Sequence, residues 1–327
     1  MLVRFNVGEA VARVWQLSMA DLESALRRLV KHVEPTAKEK EAARVSHKYL
    51  RDLMREGEMG RRIVGEFLSG SYRRNTAIRP LGDVDIIFLI DPKAWPTEFF
   101  SFSDKPSPST VLQSFASALR YRYKQSSAFS QRRSIRLELN HLHIDCVPAI
   151  EIPGSDLIWV GDRKEDKWIR SSPKRHEAAV SEVNAANDGL VIPVVKLLKW
   201  WNAHLATTAK VRSFVIETMA VTLFQHIRCP SLDEGLQLFF DFVSHFDGDS
   251  VHEWRSFFGI KMNVWHTMVV EDSARTGTNV AAGVAYDRMK KFIRQACLAR
   301  DRLLEAKAAR SADVAESRLL AALKFAE

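Results

Sequence analysis

Cysteine is scarce in this chain: Cys146, Cys229 and Cys297 are the only three in 327 residues, and they are widely spaced. No CxxC pair and no Cys/His cluster occurs, which excludes a disulfide framework and a structural zinc site. No apolar run reaches the ~20 residues that a membrane-spanning helix needs. The opening stretch MLVRFNVGEAVARVWQL lacks the layout of a signal peptide. Internal repeats and low-complexity tracts are also missing. These absences point to a cytoplasmic protein with no membrane partner.

What is present is an ordinary globular composition, 46% hydrophobic, enough for a sizeable core. The formal charge is +8 and the pI near 9.4. An excess of this kind favours polyanionic partners. Nucleoside triphosphates, RNA and DNA all qualify, and net charge does not separate them.

The chemistry concentrates in GSYRRNTAIRPLGDVD, Gly70 to Asp85. Gly70-Ser71 is read as closing a helix or tight turn. Glycine lets the chain approach a ligand closely. Ser71 adds a hydroxyl and a backbone N–H, both suited to phosphate oxygens. Arg73, Arg74 and Arg79 follow, then the turn signal Pro80-Leu81-Gly82. Asp83-Val84-Asp85 opens the run IIFLI, a buried strand by its branched apolar residues. Strand side chains alternate, so Asp83 and Asp85 share a face. Two carboxylates at the mouth of an apolar strand are costly without a cation between them. Hard oxygen ligands suit magnesium or manganese.

A pair of metal ions needs a further carboxylate on a second strand. SIRLELNHLHIDCVPAI reads as two strands about a turn near Asn140-His141, with Asp145 inside the second. An acid in an otherwise apolar strand is either functional or a salt-bridged structural residue. His143 shares its face and is read as packing or solvent-facing.

Elsewhere, Leu22, Leu26, Leu29, Val30 and Val33 recur at helical spacing after Ser18, an expected N-cap, and Pro35 ends the pattern. Thr36 with Glu39 makes a capping box for a second helix, with Ala42, Val45, Tyr49, Leu53 and Met54 as its apolar stripe. Residues 91–109, with four prolines, read as an exposed loop. The helix after it carries Val111, Leu112, Phe115 and Leu119 inward. Arg120, Arg122, Lys124, Arg132, Arg133 and Arg136 are either helix-end cations and scattered surface charges or a nucleic-acid stripe. The charged stretch GDRKEDKWIRSSPKRHE reads as a crossing into a helical second half. There LVIPVVKLLKWWNAHL is a central helix, with Lys196 and Lys199 three residues apart on one face. From Arg300 on, a terminal helix is expected.

On these residues the chain resembles the DNA polymerase beta-like nucleotidyltransferases. Within them it is similar to the bacterial CD-NTases of CBASS antiphage systems, relatives of cyclic GMP–AMP synthase and oligoadenylate synthase. GSYRRNTAIRPLGDVDI and HIDCVPAI carry the superfamily resemblance; LLKWWN, RSFVIETMA and TNV at Asn279 point to the synthase branch. The resemblance implies an α+β fold: a small mixed sheet flanked by helices, a long N-terminal spine helix, and a C-terminal α-helical lobe. The expected division is residues 1–165 as catalytic core and 166–327 as the lobe completing the nucleotide pocket. It implies Asp83, Asp85 and Asp145 as ligands of two Mg2+ or Mn2+ ions, with Gly70 and Ser71 at the nucleotide. Lys199 matches the family lysine that contacts triphosphate. Ser213-Phe214 match a serine-tyrosine or glutamine-tyrosine pair in which the serine binds phosphate and the ring stacks on a base; phenylalanine keeps the π face and loses the hydroxyl. A buried core phenylalanine is the competing reading.

The implied activity is synthesis of cyclic di- or trinucleotides from NTPs, ATP among them. Addition of nucleotides to an RNA 3′ end and linear oligoadenylate synthesis are the alternatives. Regulatory or effector proteins of the same defence system are the implied partners, and nucleic acid binding is left open.

Overall fold

The computed structural model describes residues 22–95, 104–124, 126–245, 260–262 and 268–325. Ser18, the expected first N-cap, lies outside them. The chain divides into two compact units, Pro35–Ser181, and Met1–Glu34 together with Glu182–Glu327. The division expected at residue 165/166 falls instead within a β-hairpin of the first unit, whose two strands extend its sheet.

Residues 22–33 form helix α1 and Ala37–Glu56 form α2, separated at Pro35. Proline and its constraint on the preceding residue oppose a continuous helix. The capping box is complete: Glu39 N donates to Thr36 Oγ1 at 3.1 Å, and Thr36 N donates to Glu39 Oε2 at 2.7 Å. Such caps contribute about 1 kcal/mol. The other oxygen, Glu39 Oε1, accepts from Leu81 N at 3.1 Å, inside the loop that leads to Asp83.

The buried face of α2 is Ala43, His47, Leu50 and Met54. Two members of the apolar stripe expected from sequence, Val45 and Tyr49, are 54% and 60% exposed. Counting hydrophobics places His47 outside, whereas its ring packs edge-on against Tyr72 at 5.9 Å.

Seven strands form one mixed sheet, in the order β1-β2-β5-β4-β3, with β6 on β5 and β7 on β6. They are β1 (Ile63–Ser69), β2 (Asp83–Ile90), β3 (Ala128–Ser130), β4 (Ile135–Glu138), β5 (His143–Glu151), β6 (Ile158–Asp162) and β7 (Lys167–Ser171). Only β2 and β5 pair in parallel. The segment before Gly70 is thus a strand, and Gly70–Arg73 opens the short helix α3 rather than closing one. Ile63, Val64 and Phe67 suit a pleated surface, and pairing with β2 supplies the partner that local reading lacked.

The two faces of β2 explain its unbroken apolar run. Val84, Ile86, Phe88 and Ile90 join the larger core with Ile144 and Cys146 of β5, residues of α2, and Val111, Leu112, Phe115 and Leu119 of α4 (Pro108–Arg122). On the opposite face, Ile87 and Leu89 pack with Ala149, Ile158 and Val160. By alternation, Asp83 and Asp85 stand on this second face, at its polar end. The charged stretch expected to cross between lobes is the β6–β7 hairpin, followed by α5 (Pro173–Ala186).

In the other unit, α6 (Val191–Ala203), α7 (Ser213–His226), α8 (Leu232–Ser244), α9 (Tyr286–Lys307) and α10 (Ala312–Ala322) form a helical core. Trp201 of α6 is fully buried, its ring 5.0 Å from Phe240 and 5.5 Å from Phe292. The stretch from Arg300 on, expected as a terminal helix, falls across two, because α9 ends at Lys307 and Ser311 caps α10.

Candidate active site

β2 and β5 run side by side so that Asp85 is the register partner of Asp145, and Asp83 that of His143. Register partners in a parallel pair point the same way, so Asp83, Asp85 and Asp145 share one sheet face. The juxtaposition shows in the electrostatics. The Asp85 carboxyl is raised to about 7, first by burial, then by the charges of Asp83 and Asp145; Arg74 and Arg136 oppose the rise.

Gly70 meets the same carboxylate from β1, whose last residue, Ser69, pairs with Asp85. Its φ is +70°, and a Cβ placed on it would lie 1.7 Å from Asp85 Oδ2. Only glycine fits there. Ser71 follows in α3, its carbonyl accepting from Thr76 N at 2.9 Å and Ala77 N at 3.1 Å, which folds the basic loop back on itself. In that loop Arg73 pairs with Glu177 at 2.9 Å.

Asp145 is buried and takes a two-pronged contact from Arg136, its register partner on β4: Nε to Oδ1 at 3.0 Å and Nη2 to Oδ2 at 2.6 Å. Asp145 thus stands on the face of the other carboxylates and is also salt-bridged. Sequence reading missed Arg136 as part of this site. The signal was its alternation with Ile135 and Leu137, which puts it on the polar face once β4 pairs with β5. His143 lies on that face too, and its buried Nδ1 has no hydrogen-bond partner among the described residues.

The fit of a divalent cation rests on the donor set. It is all oxygen and negatively charged, which suits a hard cation. Among the described residues no three acidic, histidine or cysteine side chains are gathered into a ready metal cage.

The six basic residues considered as a nucleic-acid stripe are mostly committed within this unit. Arg120 Nε donates to Ala128 O at 2.9 Å, Arg132 and Arg133 reach Asp162 at 2.7 and 3.3 Å, and Arg136 holds Asp145.

The helical unit carries the remaining expected residues. Ser213 opens α7 and is exposed, and Phe214 beside it is half-buried. Lys199 is not a surface lysine. Its side chain is 3% exposed and donates to Glu217 Oε2 at 2.5 Å, the glutamate being 2% exposed. Lys196 is likewise buried and pairs with Glu34 at 2.6 Å.

This fold is that of a polymerase beta-like nucleotidyltransferase. The model of the Second Messenger Oligonucleotide or Dinucleotide Synthetase (SMODS) domain matches residues 20–184, and the chain belongs to that family, within the CD-NTases. A cyclic AMP-AMP-AMP synthase of Acinetobacter sp. is 28% identical over 291 residues, covering 85% of this chain and 78% of the relative. A cyclic AMP-AMP-GMP synthase of Enterobacter hormaechei is 26% identical over 235 residues, 55% of this chain and 61% of the relative. The fold is shared with E. coli MS115-1 CdnC bound to ATP, at TM-score 0.70 and 19% identity, covering 92% of this chain and 97% of that one. It is shared also with the Bradyrhizobium diazoefficiens CD-NTase CdnG in complex with GTP, at TM-score 0.63 and 13% identity, covering 93% and 98%. Among the described residues no helix is long and apolar enough to cross a membrane.

Proposed function

We propose that this protein joins nucleoside triphosphates, ATP among them, into a cyclic di- or trinucleotide second messenger, acting in the cytoplasm in antiphage defence. The observation that carries the reading is the register of Asp85 on Asp145, with Asp83 on the same face, inside the segment that matches the synthetase family. The similarity to cyclic trinucleotide synthases supports the product class.

Asp83, Asp85 and Asp145 would hold Mg2+ or Mn2+. Two bound cations would neutralise the triphosphate and stabilise the attacking and leaving oxygens. The residues do the rest. Gly70 keeps the backbone clear of Asp85, and Ser71 offers its hydroxyl and N–H to phosphate oxygens, a positioning contribution. Asp145 draws the proton from the acceptor ribose hydroxyl. The oxygen attacks the α-phosphorus, the bond to the β-phosphate oxygen breaks, and pyrophosphate leaves. A second attack by the linear intermediate closes the ring. We assign Ser213 to phosphate and Phe214 to stacking on a base. Lys199 acts through Glu217 by fixing α7, whose first turn presents that pair.

The test supplies NTPs and Mg2+ with and without an RNA primer, treats the products with phosphatase, and identifies them by mass spectrometry. Phosphatase-resistant cyclic products are expected. Label found only in extended primer shows a tail-adding enzyme, and phosphatase-sensitive oligomers show linear synthesis.

A further inference from the structure

Asp145 is buried, and both of its oxygens already have a cationic partner. Arg136 reaches it as a planar fork, at 3.0 and 2.6 Å, from the adjacent strand. The Arg136 side chain is 26% exposed and that of Asp145 9%, so water screens the contact little. The guanidinium also feels the rest of the face. Its proton affinity is raised first by the hydrogen bonds to Asp145, then by the charges of Asp145, Asp83 and Asp85. Arg136 is thus the built-in counter-ion of the cluster. Its fork geometry is the one that binds carboxylate most tightly, and it stays charged at every physiological pH.

A guanidinium and a divalent cation compete for this carboxylate. Like charges a few ångströms apart repel, the more so away from water.

We propose that Arg136 holds Asp145 in a resting state and must release it when the divalent cation loads. Arg136 is then a positioning residue that sets a threshold for cation binding. A centre of three acids stays folded and quiet without metal because an internal cation occupies it. The inference rests on Asp145 as a metal ligand, the reading given above.

The experiment titrates Mn2+ alone into the full chain and follows free Mn2+ by electron paramagnetic resonance. The proteins are wild type, Arg136→Gln, Arg136→Lys and Asp145→Asn. Arg136→Gln is expected to bind Mn2+ about tenfold more tightly, the size of one relieved charge contact. Arg136→Lys keeps the charge without the fork, so a smaller gain is expected, and it serves as the informative variant if Arg136→Gln does not fold. In chelator, Arg136→Gln melts below wild type, and Mn2+ raises its melting temperature by more. In wild type, the Arg136 Nε–H proton is protected in chelator and loses protection in saturating Mg2+. Equal or weaker Mn2+ binding by Arg136→Gln, or an Nε–H that stays protected in Mg2+, overturns the proposal: Arg136 then orients Asp145 for the cation. Unaltered Mn2+ binding by Asp145→Asn overturns something else, the placement of a ligand at Asp145 itself.

Discussion

Gly70 and Asp85 occupy one space: a Cβ on Gly70 would fall 1.7 Å from Asp85 Oδ2 and 2.7 Å from its Cγ. The glycine that opens α3 and the carboxylate of the next strand are therefore one steric unit. Gly70→Ala must either push Asp85 aside or move the backbone, and φ +70° adds a cost of about 1–2 kcal/mol for a residue with a Cβ. A folded protein with a lowered melting temperature and little pyrophosphate release is expected. Wild-type turnover by Gly70→Ala would show that Asp85 does not need its present position.

Asp85 also sets a pH dependence in the metal-free protein. Its carboxyl rises from 3.8 in the free side chain to about 7 in the fold, so the folded state binds more protons between those values. Stability then falls as pH rises through that window. His47 works in the opposite sense, since burial, then the charges of Arg51 and Arg44, lower its proton affinity and favour its neutral form. The wild-type minus Asp85→Asn difference isolates Asp85. In chelator, melting curves from pH 4 to 8 should show wild type losing ground to Asp85→Asn as pH rises, and excess Mg2+ should remove the loss. A difference that does not vary with pH would sink this account.

Lys199 and Glu217 form a buried pair in the helical unit. Removing one partner of such a pair costs about 3–5 kcal/mol, because the other charge stays buried. Lys199→Met should therefore lower the melting temperature, and Lys199→Met with Glu217→Met should recover much of the loss. A raised KM for NTP with unchanged melting would instead support direct contact between Lys199 and triphosphate.

Phe214 sits half-buried beside the exposed Ser213 at the start of α7. Phe214→Ala should weaken nucleotide binding by about 1–3 kcal/mol, the worth of a stacked base. Phe214→Tyr should bind as wild type. Binding measured by calorimetry, with melting as control, checks both; lost stability without a binding defect would mark Phe214 as core.

The parts legible in the sequence are those whose cause is local. Thr36 and Glu39 lie three apart and announce a helix start by themselves. Asp83, Val84 and Asp85 alternate, so a shared carboxylate face follows from strand geometry alone. The inward face of α4 is visible because its apolar residues keep helical spacing. What was not legible depends on partners distant in the chain. β1 is a strand because β2 pairs with it, and α2 is rotated from its apparent stripe because Tyr72 receives His47. The partner of Arg136 follows from the β4–β5 register, and that of Lys199 is a glutamate eighteen residues on. In each case a polar or ambiguous side chain is decided by what it meets across the fold.

Glu39 joins these two kinds of information. With one oxygen it closes the first turn of α2 locally, and with the other it holds Leu81 N, forty-two residues later. The local contact spans three residues and costs little chain entropy to close, so it forms readily. The acceptor for Leu81 is then already in place when the distant loop arrives. A signal that reads as helix punctuation thus also works as a mooring. It ties the turn delivering Asp83 and Asp85 to the rigid end of a twenty-residue helix, and gives that loop a fixed point from which the strand begins.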